Sequence, residues 1–149
     1  MNKDQYPLEA NTNGMEFEFV SEGPNGKIRK VVIFTLVDDY GFFYYNLGFG
    51  DLNEKTGQLD DLSISNNEDR AKILATVART VLEFTTYFPK AIIVAKGSST
   101  SRTRLYQMGL ASNLKDIEEL LNVVGFINAK WLRFEPNVNY EAFMVYRKY

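Results

Sequence analysis

The run from Met15 to Val37 restricts the architecture more than any other part of the chain. Met15-Glu-Phe-Glu-Phe-Val20 alternates at period two, with Met15, Phe17 and Phe19 on one face and Glu16 and Glu18 on the other. That pattern suits a strand with one buried face. Gly23-Pro-Asn-Gly26 then supplies an Asn-Gly hairpin turn, and Ile28 to Val37 returns as a strand rich in β-branched residues. The two segments pair antiparallel, and the rest of the chain must build on that ribbon. A second turn, Asp38-Asp-Tyr-Gly41, leads into a third strand from Phe42 to Asp51 with aromatics on both faces. Gly48 and Gly50 weaken a plain strand, so they suggest a bulge there, or the close approach of another backbone or a ligand.

A half-apolar ribbon needs a cover, and the next segment provides one. Ser65-Asn-Asn-Glu68 fits a capping box that starts a helix. Ile73, Val77, Val81, Phe84 and Phe88 then recur at three- and four-residue spacing, widened by Ala71, Leu74, Ala78 and Leu82, until Pro89 stops the run. A strand follows at Ala91–Ala95, then a helix from about Ser101 to Met108 that Gly109 ends in a left-handed cap. A second short helix spans Asn113 to Leu121, and Phe126–Phe134 and Tyr140–Tyr146 read as the last strands. Residues 1–14 form a partly ordered lead-in, and Asn53 to Asp61 a polar excursion. The order β-β-β-α-β-α(α)-β-β predicts an α+β fold. One mostly antiparallel sheet is packed by one long and two short helices, in a single domain over residues 1–149.

Composition narrows the chemistry. The chain has no cysteine and no histidine, which excludes disulfides, Cys/His metal sites, thiol nucleophiles and imidazole catalysis. Carboxylate, amine, hydroxyl and phenol groups remain, and no calcium loop or helical Glu-x-x-His pattern suggests a metal. No apolar run approaches the ~20 residues that span a bilayer, and the first residues lack a hydrophobic signal segment. The expectation is a cytoplasmic protein with no membrane attachment. Net charge is −2, but residues 1–89 hold 8 Lys/Arg against 14 Asp/Glu, whereas residues 90–149 hold 9 against 5. The basic part opens with the best candidate site.

That site is Gly97-Ser98-Ser99-Thr100, between the Ala91–Ala95 strand and a helix carrying Arg102, Arg104 and Tyr106. A helix start offers free N–H groups and positive dipole charge, so hydroxyls and arginines beside it suit a phosphate or carboxylate. Arg102 and Tyr106 are four residues apart and share a helix face, and Lys96 adds a cation at the strand end. The loop lacks the Gly-x-x-x-x-Gly-Lys-Ser/Thr spacing of a nucleotide loop. The plainer reading is a capped helix whose arginines meet acids or solvent. Asn67 and Arg70, with Asn66 and Asp69, stand at the start of the long helix, at the sheet edge where residue 97 is expected, and Asn46 and Asp51 can join them. Phe42, Phe43, Tyr44, Tyr45 and Phe49 lack interleaved Lys or Arg, which reads as sheet core and argues against nucleic acid as partner. Trp131 with Lys130 and Arg133 is a candidate interface.

Two resemblances attach to these residues. Tyr45-Asn-Leu-Gly-Phe-Gly-Asp51, Ser65-Asn-Asn-Glu-Asp-Arg70 with Leu74-Ala-Thr-Val-Ala78, and Gly97-Ser-Ser-Thr-Ser-Arg-Thr-Arg-Leu-Tyr-Gln107 resemble the conserved blocks of an uncharacterised bacterial family of unknown function. They span most of the chain and imply no activity. The order of elements is also similar, remotely, to the core of the GCN5-related N-acetyltransferases. Arg104-Leu-Tyr-Gln-Met-Gly-Leu110 looks like their helix whose tyrosine protonates the leaving thiolate of coenzyme A, which would make Tyr106 the acid. Their glycine-bearing pyrophosphate loop is replaced here by Ser63 to Arg70, which has no glycine and two acids. Three functions stay open: binding of an anionic ligand, an acyl-CoA-dependent transferase, and an interaction module, such as a toxin–antitoxin or phage-defence component, that meets a protein through strand edges.

Overall fold

The computed structural model of the protein describes residues 4–60 and 67–148. Its nine strands are β1 (Glu9–Ala10), β2 (Glu16–Gly23), β3 (Gly26–Asp39), β4 (Phe42–Leu52), β5 (Leu59–Asp60), β6 (Ile92–Ala95), β7 (Leu121–Ile127), β8 (Lys130–Arg133) and β9 (Ala142–Arg147). The helices are α1 (Arg70–Tyr87), α2 (Thr100–Ser112) and α3 (Leu114–Leu120). All strands join one sheet in the order β1-β2-β3-β4-β6-β9-β7-β8, with β5 beside β4. Every pairing is antiparallel except β4 with β6. The α+β class and the mostly antiparallel sheet are therefore as expected. Among the described residues, no helix is long and apolar enough to cross a membrane.

The long ribbon forms as its alternation requires. Phe17 and Phe19 are buried while Glu16 and Glu18 are not, and β2 pairs β3 from Glu16↔Ile33 to Gly23↔Gly26. The turn centres on Pro24-Asn25, because Pro locks φ, and Gly26 takes the left-handed φ of 87°. Phe17, Val32, Phe34, Leu47 and Phe49 then face α1, whose Phe84 stacks on Phe34 at 4.1 Å between ring centroids. Arg147 on β9 closes the opposite end of α1: its Nε donates to the Thr85 carbonyl at 3.0 Å and a terminal nitrogen to Thr86 Oγ1 at 2.8 Å. A cation there complements the negative end of the helix dipole.

Several local expectations are corrected. The β3–β4 ladder runs from Lys30↔Asp51 to Asp39↔Phe42 without a bulge, and Gly48 instead lies under Leu59 of β5. Asp69, not Ser65, is the N-cap of α1; Glu68 has a φ of 58° and lies before the helix, and Ser65 and Asn66 lie outside the described residues. Gly109 does not end α2: it lies inside the helix where a Cβ would come 3.3 Å from Leu74, so its value is close approach to α1. The segment Phe126–Phe134 is not one strand. Asn128 and Ala129, with φ of 52° and 61°, fold it into a β7–β8 hairpin, and β7 begins at Leu121, where a last helical turn was expected. Lastly, Phe42 and Phe43 are exposed; of that aromatic group only Phe49 and, partly, Tyr44 and Tyr45 are packed.

Candidate functional site

The two helix starts that carry most of the candidate residues lie at one end of the sheet, and the parallel pairing explains why. β4 and β6 run in the same direction, so α1 and α2, which follow them, both start beyond that end. The strands pair only through Tyr45↔Ile93 and Asn46↔Val94. Beyond these pairs β4 continues to Leu52, while β6 ends at Ala95 and hands over to the Gly97 loop.

The loop itself is a capped helix start. Ser99 is the N-cap of α2, its hydroxyl accepting from the Arg102 N–H at 3.2 Å. Thr103 Oγ1 accepts from the Gly97 N–H at 3.0 Å and donates to the Ser99 carbonyl at 3.2 Å. A Cβ on Gly97 would lie 2.3 Å from the Thr103 nitrogen, so only glycine lets the loop close onto the helix. Ser98, Thr100 and Lys96 are exposed.

The two arginines part company. Arg102 and Tyr106 are buried on the inward face of α2, while Arg104 is exposed. The Arg102 guanidinium lies over the Phe49 ring at 5.6 Å. Two residues along β4, on the same face, Asp51 pairs with Lys30, whose side chain is only 5% exposed. Burial of such a pair is tolerable because each charge answers the other. Lys30 has a readable signal: it keeps the inward alternation of Phe34 and Val32 one step further along β3. One turn beyond Arg102, Tyr106 helps to line an apolar cavity of about 60 Å³ with Leu47, Leu74, Ala78, Ile93 and Phe143.

The residues before α1 are not turned to the same place. Asn67 is buried in the β2–β3 turn: its Oδ1 accepts from the Asn25 N–H at 2.8 Å, and its Nδ2 donates to Ser21 Oγ and to the Gly26 carbonyl, each at 3.0 Å. Asp69 accepts from Ser21 Oγ at 2.6 Å and from the Tyr6 hydroxyl, and makes no side-chain cap to α1. Arg70 is exposed. Gln107 is also a latch: its amide donates to the Val138 carbonyl at 2.6 Å and accepts from the Tyr140 N–H at 3.2 Å. Much of what makes these motifs distinctive therefore holds loops and turns together. Among the described residues, no group of three or more acidic side chains could hold a metal.

A protein-family model described as a family of unknown function (DUF6934) matches residues 2–148. No curated protein and no solved structure matches the chain. With nearly its whole length covered, the chain belongs to this family of unknown function.

Proposed function

We propose that the protein binds a small anionic ligand at the sheet end where β4 and β6 part, between the starts of α1 and α2. The observation that carries this reading is the short parallel junction, Tyr45↔Ile93 and Asn46↔Val94. In open sheets, ligands settle outside the carboxyl ends of parallel strands where the following connections diverge. Two helix starts add positive potential at that end, and Arg70, Lys96 and Arg104, which belong to those helix starts and the loop before α2, are exposed cations. Ser98 and Thr100 bring exposed hydroxyls to the same loop. Arg102 and Tyr106 form the floor rather than the contact surface.

A second reading has its own support. An apolar cavity in whose wall Tyr106 stands, beside a strand junction of this kind and within this order of elements, suits a ligand whose anionic head continues into an acyl thioester. In that reading Tyr106 protonates the leaving thiolate. One experiment addresses both. Thermal shift against pyrophosphate, ADP, coenzyme A and acetyl-CoA should raise the melting temperature by several degrees for at least one anion. The rise should vanish in Arg70→Ala with Arg104→Ala, a variant that melts as the wild type does because both side chains are exposed. A response to coenzyme A and acetyl-CoA alone would favour the transferase, and no response to any of the four would end both readings.

A further inference from the structure

The β3–β4 hairpin outruns its neighbours. β2 reaches only to Glu16, opposite Ile33, and β6 meets β4 first at Tyr45, so Thr35–Asp39 and Phe42–Tyr44 pair only with each other among the described residues. The result is a two-stranded arm with both edges open. It carries Leu36 at 54% exposure and Phe43 at 58%, with Asp38 and Asp39 beside them. At its tip Tyr40 is wholly exposed in a left-handed turn, with a φ of 51°. A bare apolar ribbon of this sort invites another strand.

The far edge of the same sheet is its counterpart. β8 ends the strand order, and all four of its residues, Lys130, Trp131, Leu132 and Arg133, are exposed. It offers the outward backbone groups of Trp131, two large apolar side chains and two exposed cations, of which Lys130 is the nearer to the hairpin tip and Arg133 also pairs with Glu118 at 3.8 Å and lends its carbonyl to the Tyr140 hydroxyl at 3.3 Å. The arm offers open backbone groups, apolar side chains and two acids. Pairing arm with arm sets acids near acids, and pairing β8 with β8 sets cations near cations, whereas arm on β8 matches opposite charges. Backbone pairing with charge-selected side chains is how strand addition achieves both affinity and choice.

We propose that the protein associates with a second copy of itself, head to tail, by adding the Thr35–Tyr44 arm of one molecule to the β8 edge of the next. The two surfaces differ, so the contact is heterologous and does not close at two copies. Assembly then grows with concentration and weakens with salt.

Two variants test this without disturbing the core. Leu36→Lys with Asp39→Lys disables the arm while keeping Asp38, whose carboxylate accepts the Gly41 N–H at 2.9 Å. Lys130→Glu with Leu132→Glu disables the β8 edge. In sedimentation velocity the wild type should form a concentration-dependent series of species. Each variant alone should be monomeric, its apparent dissociation constant raised about tenfold or more. Mixed in equal amounts, they should form a dimer and nothing larger, because the mixture retains one working arm and one working edge. Circular dichroism melts matching the wild type confirm folding of both. A wild type that stays monomeric throughout overturns the proposal, including the case in which the arm captures only a different protein. A β8 variant that still dimerises alone overturns it in favour of arm-to-arm pairing.

Discussion

Tyr6 stands in a polar stretch with no periodicity to mark it, yet its ring stacks on Phe19 with centroids 5.8 Å apart, and its hydroxyl donates to Asp69. Lys72 lies 4.2 Å from the centroid of the same ring. Burial, and then the hydrogen bond to the Asp69 carboxylate, hold the Tyr6 phenol above its ordinary ionisation range. On raising the pH the unfolded chain therefore gives up that proton first. The stabilisation that Tyr6 contributes is complete below about pH 10 and is lost as pH climbs through the higher native value. Tyr6→Phe should cost about 1–2 kcal/mol near neutral pH by leaving Asp69 short of a donor. The gap to the wild type should narrow in urea melts as the pH is raised above about 10. Parallel stability curves would show that Tyr6 ionises alike in both states. The same scale explains Gly23, where a Cβ would lie 2.1 Å from the Asn67 carbonyl oxygen, so the turn can be clasped only if this residue has no side chain.

Elements differ in how far they can be read from the chain. The β2–β3 ribbon and α1 are legible because each carries a long run of one period, and burial follows it: Phe17 and Phe19 inward on β2, Ile73, Val77, Val81 and Phe84 inward on α1. The β7–β8 hairpin is hidden because its turn has no Gly and no Pro. Asn128-Ala129 must hold two positive φ angles between Ile127 and Lys130, a conformation that glycine takes freely and alanine resists. Ala129→Gly should accordingly stabilise the protein by about 1 kcal/mol, visible as a higher denaturant midpoint at constant slope. An unchanged or lower midpoint would mean that tertiary contacts absorb the strain. Of the candidate residues, the common end of the two helix starts was legible from the order of elements, since helices that follow parallel strands must start at one end. The outward turn of Arg104 and the use of Asn67 as a turn latch were not, because they depend on which helix face meets the sheet and on how the β2–β3 turn reaches the start of α1.

Taken whole, the molecule is two antiparallel half-sheets, β1 to β5 and β6 to β9, with α1 and α2 laid across them. The acidic first part of the chain supplies one half-sheet and the basic last part the other, so the charge imbalance seen along the chain becomes a polarity of the body. That polarity is what the head-to-tail contact uses, the acidic arm belonging to one half and the basic edge to the other. Among the described residues, two residue pairs join the halves within the sheet, against ten between β3 and β4. Cooperative units in hydrogen exchange tend to follow such boundaries. Native-state exchange should find the mutually bonded amides of Lys30–Phe34 on β3 and Leu47–Asp51 on β4 opening only with global unfolding, while those of β6 exchange through a smaller, separate opening. Identical opening free energies on both sides would mean that α1 alone makes the sheet one unit. Mechanically, the junction of β4 and β6 is then a seam: the line along which this sheet would tear if pulled, and along which its halves can rock without breaking either ladder.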